Sequence, residues 1–171
     1  MTQNNPTEET ARRTAESTND DATSGALSGS TDAAAATTKT APARLEPRVL
    51  TALRAANEKK ALDIVVLDLR PLASFTDYFL ITSGTNARQV QAIADGILEQ
   101  LRKEGTRAER VEGFNSAEWV LLDYGDFVCH IFEDKARRFY DLERLWREAA
   151  RVPLPPELRG ETVQRSSDDA A

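Results

Sequence analysis

The sequence predicts an α/β domain in which helices pack on a small mixed β-sheet. Short runs rich in β-branched and aromatic residues alternate with amphipathic helical segments, as expected for this fold class. The clearest pair of runs, Trp119–Leu122 and Phe127–Phe132, flanks a polar break containing Gly125, which is typical of a β-hairpin. Two earlier runs are joined by a segment with Pro71 and no helical pattern, which favours antiparallel neighbours over a helical crossover.

Composition divides the chain into a domain, residues 44–152, and two tails that are predicted to be disordered, residues 1–43 and 153–171. The N-terminal tail contains one Leu and no aromatic residue, so it cannot bury enough apolar surface to offset the entropy cost of ordering. Pro153, Pro155 and Pro156 end the last predicted helix, and the C-terminal tail follows them.

The net charge of −6 belongs mainly to the tails. Residues 44–152 carry 17 basic and 18 acidic side chains, whereas the tails carry 5 basic and 10 acidic ones. A nearly neutral domain lacks the basic surface of a protein that binds chiefly to phosphates, so we expect little direct contact with nucleic acid. No run approaches the ~20 apolar residues of a membrane span and no signal peptide is visible, so we expect a cytoplasmic protein without membrane contact.

The domain is predicted to begin with a helix and two strands. Pro47 stands at a favourable first helical position, and apolar residues at helical spacing continue from it to about Lys60. Residues 64–67 form a compact, mostly β-branched run between two aspartates, and residues 77–82 form the next strand-like run.

A second helix is predicted to follow these strands. Asn86 is a good N-cap, and Gln89 three positions later can complete a capping box. The apolar residues behind this start make an amphipathic stripe, and Gly105 marks the end of the helix. Residues 107–112 are then predicted to return to the sheet as a short strand.

The hairpin presents two faces of different composition. If Gly125 and Asp126 form its loop, Tyr124 pairs with Phe127, and directly paired residues point to the same side of the sheet. The apolar face, which we assign to the core, comprises Val120, Leu122, Tyr124, Phe127, Cys129 and Ile131. The other face, called the mixed face below, comprises Trp119, Leu121, Asp123, Val128, His130 and Phe132. Either a helix or a binding partner covers the mixed face, and the pattern leaves both interpretations open.

The last helix is predicted to begin near Glu133 and to continue to the prolines that follow Val152. Acidic residues in its first turn suit the helix dipole. Arg137 and Arg138 are assigned to its solvated side. Its wide apolar side comprises Ala136, Phe139, Tyr140, Leu142, Leu145, Trp146 and Ala149.

The sequence offers little catalytic chemistry. Cys129 and His130 are the only Cys and His, which excludes an internal disulfide and disfavours a zinc site, and adjacent strand residues cannot form a catalytic pair because they point to opposite faces. Residues 83–85, Ser-Gly-Thr, lie between a strand and a helix and could bind an anion or nucleotide, with Asp123 as an acid, but the Walker pattern is absent. We therefore predict no catalytic, cofactor or metal site.

An ordered set of short motifs resembles the ribosomal silencing factor family, also called Iojap or RsfS. The resemblance covers residues 46–152, essentially the whole domain, and the long N-terminal tail departs from the compact family pattern. The motifs are Thr76–Ile81, Ser83–Thr85, Arg88–Val90, Glu112–Gly113, Ser116–Trp119, Leu122–Asp126, Arg138–Tyr140, Leu142–Glu143 and Leu145–Trp146.

The resemblance implies a nucleotidyltransferase-like topology without the metal-binding acids, and a protein that is not an enzyme. It also implies binding to the large ribosomal subunit through ribosomal protein fourteen, which blocks association with the small subunit and represses translation under nutrient limitation. Free members of the family are often dimeric, so the resemblance also implies a homodimer in the absence of ribosomes. A scaffold module whose N-terminal tail recruits partners remains a third interpretation beside the silencing factor and the nucleotide-binding enzyme.

We place the partner contact on the mixed face. Trp119 and Leu121 serve as apolar anchors, because buried aromatic residues dominate the binding energy of many interfaces. Asp123 pairs with a basic side chain of the ribosomal protein. Val128 and His130 share this face and complete the predicted site.

Overall fold

The computed structural model describes residues 44–162 of the chain. Both the predicted N-terminal tail, residues 1–43, and residues 163–171 lie outside the described range. Four helices, six strands and one 3₁₀ turn make up the described part. They are α1 Pro47–Glu58, β1 Leu62–Asp68, β2 Tyr78–Gly84, α2 Ala87–Lys103, β3 Arg110–Glu112, β4 Trp119–Asp123, β5 Phe127–Glu133, α3 Asp134–Tyr140, α4 Leu142–Leu145, β6 Ala150–Arg151 and the 3₁₀ turn Pro156–Leu158.

The six strands form one mixed sheet in the order β3-β4-β5-β2-β1-β6. All neighbouring strands are antiparallel except β2 and β5, which run parallel with Tyr78 opposite Phe127 and Gly84 opposite Glu133. The predicted antiparallel pairing of the first two strands and the predicted short strand before the hairpin are both confirmed. A mixed sheet covered by helices confirms the predicted fold class.

Helices α1 and α2 cover one face of the sheet and form the larger core with it. Val49 and Leu53 of α1 and Ile93 and Ile97 of α2 are fully buried against the strands. The apolar face of the hairpin lies in this core as predicted, since all six of its residues are at most 5% exposed. Cys129 is among them, and burial raises the pKa of its thiol.

The predicted last helix is two short helices with a break at Asp141. Asp141 adopts left-handed backbone angles, φ 44° and ψ 56°, which end α3 and redirect the chain into α4. Leu142 turns inward to the sheet, whereas Phe139 and Leu145 are 81% and 74% exposed. The expectation of one continuous helix is therefore wrong, and much of its apolar side faces solvent.

Arg137 is a buried residue of α3 that links this helix to the sheet and to α4. The solvated position predicted for it is wrong, because its side chain is only 5% exposed. Its guanidinium donates to the Asp63 carbonyl oxygen and to Ser83 Oγ, each at 2.8 Å, and to Glu143 Oε1 at 2.7 Å. The neighbouring Arg138 is exposed as predicted and pairs with Asp134 at 2.9 Å.

The segment after Val152 packs on the domain over its described part. Leu154 and Leu158 are each 7% exposed, and the Ile64 amide donates to the Arg159 carbonyl at 2.8 Å. Gly160 has φ +73°, and a Cβ there would collide with the Ala61 carbonyl oxygen. The predicted disordered tail is thus wrong for residues 153–162, because two leucines and a few backbone hydrogen bonds suffice to dock them.

Among the described helices, none is long and apolar enough to span a lipid bilayer.

We expect Arg137→Ala to lower the free energy of unfolding by about 3 kcal/mol, because it leaves Glu143 without its buried partner and removes two further donors. Urea unfolding followed by circular dichroism at pH 7 measures this change. Arg138→Ala is the matched control and should change stability by at most about 0.5 kcal/mol, since its ion pair lies at the surface. Equal losses in the two variants would contradict the assignment of Arg137 as a buried clamp.

Candidate partner-binding face

The hairpin brings all five predicted site residues onto one face of the sheet. In the observed register Leu121 lies opposite His130 and Asp123 opposite Val128, while Trp119 lies opposite Phe132. The amide of Tyr124 donates to the Phe127 carbonyl at 3.0 Å, which confirms the predicted loop. Asp123 Oδ1 accepts a hydrogen bond of 2.8 Å from the Gly125 amide and so helps to fix the turn.

Burial separates the five residues into two rows. Val128 and His130, on β5, are 7% and 4% exposed, whereas Trp119, Leu121 and Asp123, on β4, are partly exposed. Residues of the C-terminal segment, residues 134–151, account for the difference. Leu142, Trp146 and Ala149 pack in one apolar cluster with residues of β1, β2 and β5, against which β4 is only partly buried. The mixed face is therefore half covered. Val128 and His130 do not present a surface to a partner in this conformation, and they support the β4 row from below.

Trp119 is the aromatic side chain of the β4 row and is in contact with several neighbouring rings. Its ring stacks on Phe132 with centroids 4.9 Å apart and lies 4.8 Å from the ring of Tyr140. Its indole Nε1–H donates to His130 Nδ1 at 3.2 Å. Gly113, with φ +73°, lets the preceding loop approach β4, because a Cβ at this position would collide with the Trp119 carbonyl oxygen. Backbone and side chain of Trp119 are thus both fixed.

His130 is neutral in the folded protein. Burial lowers its pKa to about 4, and the nearby Asp123 carboxylate offsets this only in part. Within the described residues its Nε2 atom has no hydrogen-bond partner. The ring of Phe79 lies 4.5 Å away, nearly perpendicular to the imidazole. His130 is therefore a hydrogen-bond acceptor in an aromatic environment and has no arrangement that would activate a nucleophile.

Exposed apolar side chains extend the β4 row toward α3 and α4. Tyr140, in contact with Trp119, is 49% exposed, and it adjoins the still more exposed Phe139 and Leu145. A surface groove of about 670 Å³ runs between these side chains and Trp146. Sequence reasoning missed this surface because it assigned these residues to the buried side of one helix.

A signal for the exposed surface was present in the sequence. The apolar positions from Ala136 to Ala149 cover roughly 220° of the circumference of a continuous helix, which is wider than one sheet face can bury. Such a width indicates either a buried helix or a break that sends part of the stripe to solvent. The turn at Asp141 is that break.

At the alternative anion site, residues 83–85, groups that could bind an anion are engaged by the protein's own side chains. Gln89 Oε1 accepts from the Thr85 amide at 2.8 Å, and Asn86 Oδ1 accepts from the Gln89 amide at 2.9 Å. Asn86 is the N-cap, as predicted. The Gln89 side chain accepts from Thr85, the residue before the N-cap. Ser83 Oγ accepts from the buried Arg137, so this hydroxyl is also engaged within the protein.

The acids needed for a metal-dependent enzyme are not brought together either. Asp126 pairs with Arg48 of α1, while Asp123 is engaged with the hairpin turn. Across residues 44–162 no three His, Cys, Asp or Glu side chains are grouped as metal ligands. The most distinctive surface of the domain is therefore the β4 row with its exposed aromatic extension, which suits binding better than catalysis.

Comparison with known proteins gives consistent results. A protein-family model described as "Ribosomal silencing factor during starvation" matches residues 42–171. The chain is 44% identical over 103 residues to the ribosomal silencing factor RsfS of Bacillus subtilis, covering 60% of this chain and 87% of that protein. It is 32% identical over 92 residues to "Mitochondrial assembly of ribosomal large subunit protein 1" of Mus musculus, covering 52% of this chain and 40% of that protein. A crystal structure from Bacillus halodurans, 38% identical, superposes with a TM-score of 0.57 over 62% of this chain and 96% of that one.

The lowered pKa of His130 predicts an acid-sensitive fold. Between pH 6.5 and about 4 the unfolded chain binds a proton at His130 that the folded chain does not, so stability falls as the pH falls through this window. The contribution is about 3 kcal/mol across the window. His130→Phe should abolish it, while carboxylate contributions remain the same in both proteins. Urea unfolding of both proteins from pH 7 to pH 4 tests this, and parallel pH profiles would contradict it.

Proposed function

The chain belongs to the ribosomal silencing factor family, and from this premise we propose that it binds the large ribosomal subunit through ribosomal protein fourteen and blocks joining of the small subunit. Translation is thereby repressed when nutrients are limiting. The mechanism is steric and requires no turnover, because a rigid domain on the surface that the small subunit must reach prevents subunit joining. This role requires the protein to be in the same compartment as translating ribosomes, which is the cytoplasm, as expected from the sequence.

The β4 row is the observation that carries this proposal. Trp119 and Leu121 offer a partly exposed apolar centre, and Asp123 offers a charged rim, which is the usual arrangement of a protein-binding hot spot. Asp123 Oδ1 is engaged with the Gly125 amide, so we assign Oδ2 to a basic side chain of the ribosomal protein. Tyr140 and Phe139 continue the contact beside Trp119.

Two further observations support a protein contact on the large subunit. The domain is close to neutral, so counterion release from rRNA would contribute little to its affinity. The mouse relative is named for assembly of the ribosomal large subunit, which supports that particle as the target.

The uncovered part of the mixed face would also pair with a second copy, and we propose that the free protein forms a homodimer through it.

The rival interpretations find less support. A nucleotide-binding enzyme would need the Thr85 amide to face its ligand, but this amide donates to Gln89 Oε1, and Ser83 Oγ is engaged by Arg137. Micromolar binding of Mg–nucleotide in a calorimetric titration would revive that interpretation. A scaffold that acts through its tail would lose function on deletion of residues 1–43, whereas a silencing factor that acts through the β4 row would retain subunit binding.

We expect the purified protein to co-sediment with isolated large subunits and to be absent from small subunits. Light scattering should show slower and less complete subunit joining once the large subunits are saturated with the protein. Full joining at saturating protein would refute the steric mechanism, and binding to no particle would refute the ribosomal role altogether.

Trp119→Ala is expected to weaken binding to the large subunit by about 2 kcal/mol, which is roughly a 30-fold loss of affinity. It should also weaken the homodimer in sedimentation equilibrium, because both contacts use the same side chain. Phe114→Ala is the matched control, since this aromatic residue packs on the opposite, helix-covered face. Equal affinities of Trp119→Ala and the wild type, with the variant still folded, would remove the β4 row from the contact.

A further inference from the structure

The indole of Trp119 is held by an acceptor atom that only the neutral form of His130 provides. Trp119 Nε1–H donates to His130 Nδ1, so Nδ1 carries no proton and the imidazole proton lies on Nε2. The opposite orientation of the ring would set a C–H group against the indole N–H. The hydrogen bond therefore determines both the orientation and the tautomer of the histidine.

The position of this acceptor is rigid. His130 lies in the middle of β5, directly opposite Leu121, and its side chain is enclosed by the rings of Phe79 and Phe132. Only 4% of the residue is exposed. Trp119, by contrast, lies in a partly exposed row whose rotamers are not enclosed on every side. A fixed acceptor below a partly exposed indole selects one of its rotamers before any partner arrives.

The remaining nitrogen of His130 distinguishes this role from simple packing. Its Nε2–H is buried, and the described residues supply no acceptor for it. An unsatisfied buried donor destabilises a fold, whereas a Phe would fill the same aromatic pocket without that penalty. A residue chosen only to fill space would not need Nδ1. The orphaned nitrogen thus indicates that the acceptor nitrogen is the feature in use.

We propose that His130 is the positioning residue of the partner-binding face, acting through its Nδ1 hydrogen bond to preset the indole of Trp119 for the contact with the large subunit. This inference rests on the proposed function, since it assumes that Trp119 contacts the partner. His130 itself does not touch the partner. Ordering of the indole accompanies folding, so association needs to immobilise one aromatic side chain fewer.

Three substitutions of His130 separate the acceptor from the volume of the ring. His130→Asn keeps an amide oxygen close to the position of Nδ1, whereas the longer His130→Gln places its amide near the position of Nε2. His130→Phe keeps a ring and removes every acceptor. We expect the Phe and Gln variants to lose roughly 5- to 10-fold in affinity for the large subunit, the usual effect of one hydrogen bond, and the Asn variant to stay within about 2-fold of the wild type.

A second readout does not depend on the ribosome. The indole N–H resonance of Trp119 in the free protein, assigned with Trp119→Phe, reports the hydrogen bond directly. In the Phe and Gln variants it should shift and its exchange with water should accelerate, while the Asn variant should resemble the wild type. Urea unfolding at pH 7 should show His130→Phe to be at least as stable as the wild type, so its lower affinity cannot be attributed to a less stable fold.

The outcomes separate the inference from the proposal beneath it. Wild-type affinity in the Phe and Gln variants overturns the positioning role, and so does an equal loss of affinity and stability in all three variants. An indole resonance unaffected by every substitution overturns the hydrogen bond itself. Failure of the wild-type protein to bind any subunit overturns the proposed function, and the indole resonance then still decides whether His130 orders Trp119.

Discussion

One buried guanidinium determines how the C-terminal third of the domain is arranged. Arg137 connects the start of β1, the end of β2 and Glu143 of α4 through its donors. On a continuous helix Glu143 would lie six residues along from Arg137 and about 120° around the axis from it, so the chain must break for the pair to form. The left-handed turn at Asp141 provides the break. Leu142 and Trp146 can then reach the sheet, and Phe139 and Leu145 are directed away from it.

The proposed partner-binding face is a consequence of this arrangement. The C-terminal segment covers β1, β2 and β5 but covers β4 only in part. The apolar cluster on this face of the sheet is therefore buried at β5 and partly exposed at β4. Trp119 lies at that boundary, with Phe132 beneath it and Tyr140 beside it. A fully covered mixed face would have nothing to offer a partner, and a bare one would leave Phe79 and Phe132 in water. Half coverage gives a rigid aromatic surface on a stable base.

Local patterns predicted much of this fold because the interactions behind them are local. The hairpin register, its core face, the Asn86 cap and the first helix depend on residues a few positions apart. Arg137, by contrast, lies 54 positions from Ser83 and 74 positions from Asp63, to which it donates hydrogen bonds. No local pattern marks an arginine that will be buried. For the same reason alternation placed Trp119, Leu121, Asp123, Val128 and His130 on one face but did not reveal which of them the C-terminal segment covers. The packing of residues 153–162 on the domain was not predicted, because two leucines among prolines show no clear helical or strand periodicity.

Because the thiol of Cys129 is enclosed, the folded chain does not react with sulfhydryl reagents. Cys129 is the only cysteine of the chain, it is completely buried, and its raised pKa keeps it in the unreactive protonated form. A cysteine introduced on the exposed aromatic surface can therefore receive a fluorophore or crosslinker without removal of the native one. Cys129 would in turn be modified only when the sheet and α2 separate, so its labelling rate measures opening of the core.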